Sequence, residues 1–149
     1  MAQNPLNGFL VLALAAALTA CAGKSISTAD APVQIKGQHD ITAALIDKTF
    51  YGRYPSDRGR WSEYFSKNGE SAYREGHKTC TGHWEISQDT ACFTYDLGEP
   101  NCFTVWQAGS NMLFVSDGQD PKDQDLVVAD RIVAGDPESM MGDRDPTCR

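Results

Sequence analysis

The segment Trp61-Ser62-Glu63-Tyr64-Phe65-Ser66-Lys67-Asn68-Gly69-Glu70-Ser71-Ala72-Tyr73-Arg74-Glu75-Gly76 has a period of two, not of 3.6. Trp61, Glu63 and Phe65 fall on one side of an extended chain, and Ser62, Tyr64 and Ser66 on the other, as in a strand with one buried face. Lys67-Asn68-Gly69-Glu70 then carries the Asn-Gly signal for a hairpin, because those residues tolerate the positive φ that a tight turn demands. Residues 71–76 return as the partner strand.

The same punctuation continues in both directions. Residues 49–53 contain Phe50 and Tyr51 and end at a Pro55-Ser56-Asp57 turn. Residues 79–86, 91–96, 102–107, 112–116 and 126–134 follow, separated by clusters such as Ser87-Gln88-Asp89-Thr90 and Ala108-Gly109-Ser110-Asn111. About eight short strands at this spacing predict a mainly β fold, a single small antiparallel β-sandwich or barrel. One short N-terminal helix precedes them. Asp40 is its expected N-cap, with Ile41, Ala44 and Leu45 at helical spacing. Trp84 and Trp106 lie within strand runs and are expected to be largely buried. These boundaries divide the chain into a leader over 1–20, a tether over 21–37, a β domain over 38–136 and a loose tail over 137–149.

The leader is read from its end. Leu18-Thr19-Ala20-Cys21 closes an uncharged apolar run over residues 9–20. It resembles the lipobox of bacterial lipoproteins, and Ala20-Cys21-Ala22 also fits an ordinary secretory cleavage site. A transmembrane span fits poorly, since the run would be about 18 Å long as a helix against ~30 Å of hydrocarbon. The lipobox resemblance implies that Cys21 receives a diacylglycerol and becomes the acylated first residue. It places the protein in the cell envelope, anchored by lipid in the outer membrane and facing the periplasm, with Ala22 favouring that membrane over the inner one. Residues 22–37 are small and polar, and a flexible chain of that length spans roughly 20 to 25 Å.

Composition narrows the partners. Twenty acidic residues stand against thirteen basic ones, and no basic patch is visible, so nucleic acid is a poor partner. Beyond Cys21 there are four cysteines, Cys80, Cys92, Cys102 and Cys148. In an exported small domain such a set reads as two disulfides with three connectivities. The preferred pairing is Cys92–Cys102 with Cys80–Cys148. The first of these needs a wide connection between its strands, because a two-residue turn at Gly98-Glu99 would send the two side chains to opposite faces.

Gly82-x-Trp84, a turn, Cys92-x-x-Tyr95 and then Cys102 resemble small exported bacterial domains of unknown function. That resemblance covers about half the chain, implies an all-β meander and implies no activity.

The remaining constellations are weak. His77, Cys80 and His83 do not converge on a strand, where the two histidines lie about 20 Å apart. Asp117, Asp120, Asp123 and Asp125 lack calcium-loop spacing. Trp61, Trp84, Trp106, Tyr64, Phe65, Tyr95 and Phe103 either fill the core or line a ligand cavity. No hydrolase or phosphate-binding motif occurs, so no enzyme, metal or cofactor is assigned. The leading expectation is a membrane-anchored accessory or interaction domain, with an envelope protein as a candidate partner. A lipocalin-like carrier of a small apolar ligand is the alternative. A cavity of roughly 300 Å³ or more favours the carrier, and a filled barrel the interaction domain.

Overall fold

The structure is a computed structural model that describes residues 31–54, 59–95, 98–116, 119, 126–145 and 148. The lipobox with Cys21, and the aspartates 117, 120, 123 and 125, lie outside the described residues. Strand β1 (Val33–Ile35) leads into helix α1 (Gln38–Leu45). Eight longer strands follow: β2 (Lys48–Arg53), β3 (Arg60–Phe65), β4 (Glu70–Glu75), β5 (Lys78–Ser87), β6 (Thr90–Tyr95), β7 (Asn101–Ala108), β8 (Asn111–Ser116) and β9 (Val127–Ala134).

Strands β2 to β9 each pair with the next in sequence, always antiparallel, and β9 pairs with β2. The sheet therefore closes into an eight-stranded up-and-down barrel, not a sandwich. Closure removes both free edges of the meander.

The helix is not the first element, as the sequence suggested. Residues 33–35, assigned to the tether, pair with Val105, Trp106 and Gln107 of β7. Strand β6 covers β7 only as far as Thr104, which leaves backbone donors and acceptors on that edge for β1 to pair. Nor does Asp40 cap the helix. The N-cap is Gly37, with φ of 82°, and its N–H donates to Asp89 Oδ1 at 2.7 Å across the β5–β6 turn. At the other end, Lys48 Nζ donates to the carbonyls of Ala43 and Ala44 at 2.7 and 2.8 Å, which satisfies helix acceptors with a cation.

Helix α1 closes one end of the barrel. Ile41 and Leu45 are fully buried in the core with Phe50, Phe65 and Trp84. Phe65 stacks on Phe93 at 5.1 Å and meets Trp84 edge-on at 5.7 Å. The β3–β4 turn lies at this same end. Ser66 N–H bonds to Glu70 O at 2.9 Å, and Gly69 has φ of 83°, a three-residue loop ending in a left-handed residue.

Trp84 is buried as expected, with Nε1 donating to Ser66 O at 3.1 Å. Trp106 is not: it is half-buried and packs with Leu113, Val115, Leu126 and Val128, a cluster separate from the main core. Its register partner is Leu113, whereas the neighbouring Phe114 points into the barrel core. Lying within a strand run does not decide which face a residue takes, and Trp106 takes the face opposite the main core.

Both preferred disulfides are present. Cys92 and Cys102 are direct register partners with Cα atoms 4.0 Å apart, and the last pair of that hairpin is Phe93 with Asn101. The connection is thus wide enough to bring both cysteines to one face. Cys80–Cys148 joins residues 68 apart, which in the chain-entropy model contributes about 4 kcal/mol.

The C-terminal segment is docked, not loose. Ser62, Arg74 and Thr79 are register neighbours on the outer face of β3, β4 and β5. Arg74 binds Glu138 and Asp143 at 2.8 and 2.9 Å, Met140 of the 3₁₀ turn Met140–Gly142 is fully buried, and Asp145 N–H reaches Thr79 O at 2.8 Å. A short polar segment without periodicity gains its position from these side-chain contacts and the Cys148 bond.

Candidate functional site

Alternation of strand direction sends the connections β2–β3, β4–β5, β6–β7 and β8–β9 to the end opposite α1. At that end the barrel is not filled. A cavity of about 330 Å³ is lined by Tyr54, Trp61, Glu63, Tyr73, Phe93, Tyr95, Asn101, Phe103, Phe114 and Val127. Seven of these ten residues are aromatic. All but Glu63 lie within two residues of a strand end on that side, and Trp61, Phe93 and Phe114 also form part of the core. An eight-stranded barrel is about the width that holds one small ligand when its interior is left incompletely filled.

The walls are built from aromatic contacts between strands. Tyr73 and Tyr95 have ring centroids 5.7 Å apart, Phe93 and Phe103 5.8 Å, and Trp61 and Phe114 6.4 Å. Gly52 lets Trp61 lie against β2, since a Cβ at position 52 would overlap both the Trp61 indole and the Val128 carbonyl. The β2–β9 register shifts between Tyr51 and Gly52, so the irregularity sits beside the cavity wall.

Glu63 is the one charged residue among the described residues that line this space. It is 8% exposed and accepts a hydrogen bond from the Tyr95 hydroxyl. Burial pushes its carboxyl up to about 8, and the Tyr95 hydrogen bond opposes the shift without cancelling it. At neutral pH the group is therefore mostly protonated. Burial and the neighbouring Glu63 also raise the Tyr95 phenol. Nearer the mouth, Tyr73 Oη donates to Glu75 Oε2 at 3.0 Å and receives the Tyr54 hydroxyl at 2.7 Å. The Tyr73 phenol is raised as well, chiefly by burial.

Among the described residues, Trp61 Nε1 and Ser71 Oγ are buried side-chain atoms without a partner at hydrogen-bond distance and angle, although Ser71 lies close enough to the Tyr95 hydroxyl to influence it. Such atoms are rare in folded proteins, and each carries a desolvation penalty of about 1–3 kcal/mol. Trp61 belongs to the cavity wall, but its Nε1 is fully occluded, on the ring edge that packs against Gly52.

Of the residues singled out from sequence, Trp61, Tyr95 and Phe103 line the cavity, whereas Phe65 and Trp84 belong to the filled half. Tyr64 faces the other side and donates to Asp47 at 3.1 Å. His77 and His83 are exposed, and Cys80 is held in its disulfide. No group of three or more His, Cys, Asp or Glu among the described residues is placed to hold a metal ion. Sequence reasoning missed Tyr54, Tyr73 and Glu63 as site residues. The signal for Glu63 was present: a carboxyl between Trp61 and Phe65 on one face of an alternating strand must either meet water at a rim or enter the interior.

No known protein family, curated protein or solved structure is significantly similar to this chain.

Proposed function

We propose that this protein is a lipid-anchored envelope barrel that binds a small, largely apolar molecule in the cavity at its open end. The observation that carries this reading is the cavity itself. It exceeds the threshold set out above, at about 330 Å³, and lies within an aromatic wall at the mouth of a closed barrel. A fully packed barrel would have supported the interaction domain instead. At ~30 Å³ per water molecule the space equals about eleven waters, which suits a ligand of about ten to fifteen non-hydrogen atoms. Aromatic faces supply most of the contact area, and the buried carboxyl supplies orientation. The lipobox resemblance at Leu18 to Cys21 supports the location.

Two experiments test this reading. Protein extracted from native envelopes is expected to carry a stoichiometric small molecule detectable by mass spectrometry. Val127→Trp, which fills the cavity from the β9 wall, should lose that molecule while keeping the wild-type circular dichroism spectrum. Equal recovery from both proteins, or from neither, would remove the cavity as the binding site. Separately, Cys21→Ala is expected to abolish acyl labelling and move the protein out of the membrane fraction. Wild-type membrane recovery of that variant, with its leader correctly removed, would overturn the anchor.

A further inference from the structure

We infer that the cavity takes a small organic cation, an ammonium group on a compact apolar body, with Glu63 as its counter-charge and the aromatic faces around it as its walls. This rests on the proposed binding function and names the class of ligand for the same site.

The first ground is the composition of the cavity. Tyr54, Trp61, Tyr73, Phe93, Tyr95, Phe103 and Phe114 surround a single carboxyl, and none of the other described residues lining the space is Lys, Arg or His. Ring faces carry negative electrostatic potential and attract cations within about 6 Å, an attraction that grows when water is excluded. A neutral apolar ligand has no use for this arrangement. It would leave the protonated carboxyl with its Tyr95 hydrogen bond alone and make no use of the attraction of the ring faces for a cation.

The second ground is the charge state. Burial holds the Glu63 carboxyl protonated at neutral pH, so the free cavity is neutral. An entering ammonium ion displaces that proton and takes its place as the positive partner. The cavity is then neutral before and after binding, and neither state leaves an isolated charge in a low-dielectric space. The titratable groups lining the cavity with Glu63 are Tyr54 just after β2, Tyr73 from β4 and Tyr95 from β6, with Glu75 beyond Tyr73. β7, β8 and β9 contribute Asn101, Phe103, Phe114 and Val127, which do not titrate. The Tyr73 and Tyr95 phenols are raised and stay neutral in this range, so Glu63 is the group that exchanges its proton. The chain as a whole carries a net charge of −7, which favours the approach of cations over anions.

The test uses the full chain in detergent and a panel of arylalkylamines of about nine to thirteen non-hydrogen atoms, each paired with the alcohol of the same shape. Binding is followed by isothermal titration calorimetry in buffers of different ionisation enthalpy. Amines are expected to bind at least tenfold more tightly than their alcohols at pH 8 and to release close to one proton at pH 7. Their affinity should fall about tenfold for each pH unit below 8, while alcohol affinity stays level. Glu63→Gln should erase the preference for amines over their alcohols. If the alcohols bind as tightly as the amines, or if Glu63→Gln keeps the preference, the cation inference fails and the apolar carrier stands. If neither series binds wild-type protein or the variant, both fail.

Discussion

Glu63→Gln is expected to make the ligand-free protein more stable than wild type at pH 8 than it does at pH 5, by about 4 kcal/mol. The ordinary carboxyl value of 4.5 applies to the unfolded chain, and the folded group titrates at about 8. Between those values the native state binds a proton that the unfolded state has released, so unfolding free energy falls by about 1.4 kcal/mol per pH unit as pH rises. The contribution of the raised carboxyl is fully present below about pH 4.5 and exhausted above about 8. Glutamine has the same shape and no such titration, so its profile lacks that slope. Other shifted groups act elsewhere. Asp47, whose carboxyl is lowered by hydrogen bonds from Lys67 and Tyr64, favours the folded state above its unfolded value and loses that effect only in acid. Raised tyrosines matter only above about pH 10. Urea unfolding of both proteins at pH 5, 6.5 and 8 measures the difference. Parallel profiles would show that Glu63 is well solvated and that the cavity is wetter than its aromatic walls imply.

Trp84→Ala should lower stability by about 3 to 5 kcal/mol, as for other large-to-small changes in a packed interior. Trp84 is 8% exposed, packs edge-on against Phe65 and belongs to the filled half of the barrel beneath α1. Its loss opens a hole between the helix and the sheet and removes the indole donor from the Ser66 carbonyl. A domain of this size has about 5 to 15 kcal/mol in total, so the variant stands near the edge of folding. Denaturant midpoints with an unchanged slope would locate the effect in the native packing. A change below about 1 kcal/mol would mean that the helix end of the barrel tolerates a void as the open end does.

The contrast between Trp84 and Trp61 shows how far a residue's type predicts its part. Both sit on inward faces of strands and both are almost fully buried. One has its N–H bonded to backbone and lies in the filled half; the other has an occluded, unpaired N–H and a ring that forms part of the cavity wall. Nothing in their neighbouring residues separates them. The separation comes from which end of the barrel α1 covers, a matter of how residues 38–45 meet strands 20 and more positions away.

Local chemistry was enough for the strands themselves. Period-2 runs and turn residues at Asn68-Gly69, Gln88-Asp89 and Gly109-Ser110 placed eight strands within about a residue of their observed ends. The even set of exported cysteines also announced a framework, and register parity stated the condition under which Cys92 meets Cys102. Alternation likewise put Trp61, Glu63 and Phe65 on one face. What alternation cannot express is closure, because a sandwich and a barrel bury the same face of every strand. The choice is made by pairing β2 with β9, residues about 80 apart in sequence, with a register shift at Tyr51 and Gly52. The same holds for β1, which at three residues is too short to show a pattern and pairs where β7 outruns β6. The cavity follows from both causes. Its side chains were readable one by one, but a space between them is a property of eight strands closing at a given width with a helix across one end only. Periodicity reports what each residue turns away from water; only long-range pairing determines what it turns towards, and that is why Trp61, Tyr95 and Phe103 could be read as core or cavity residues while their meeting around Glu63 could not.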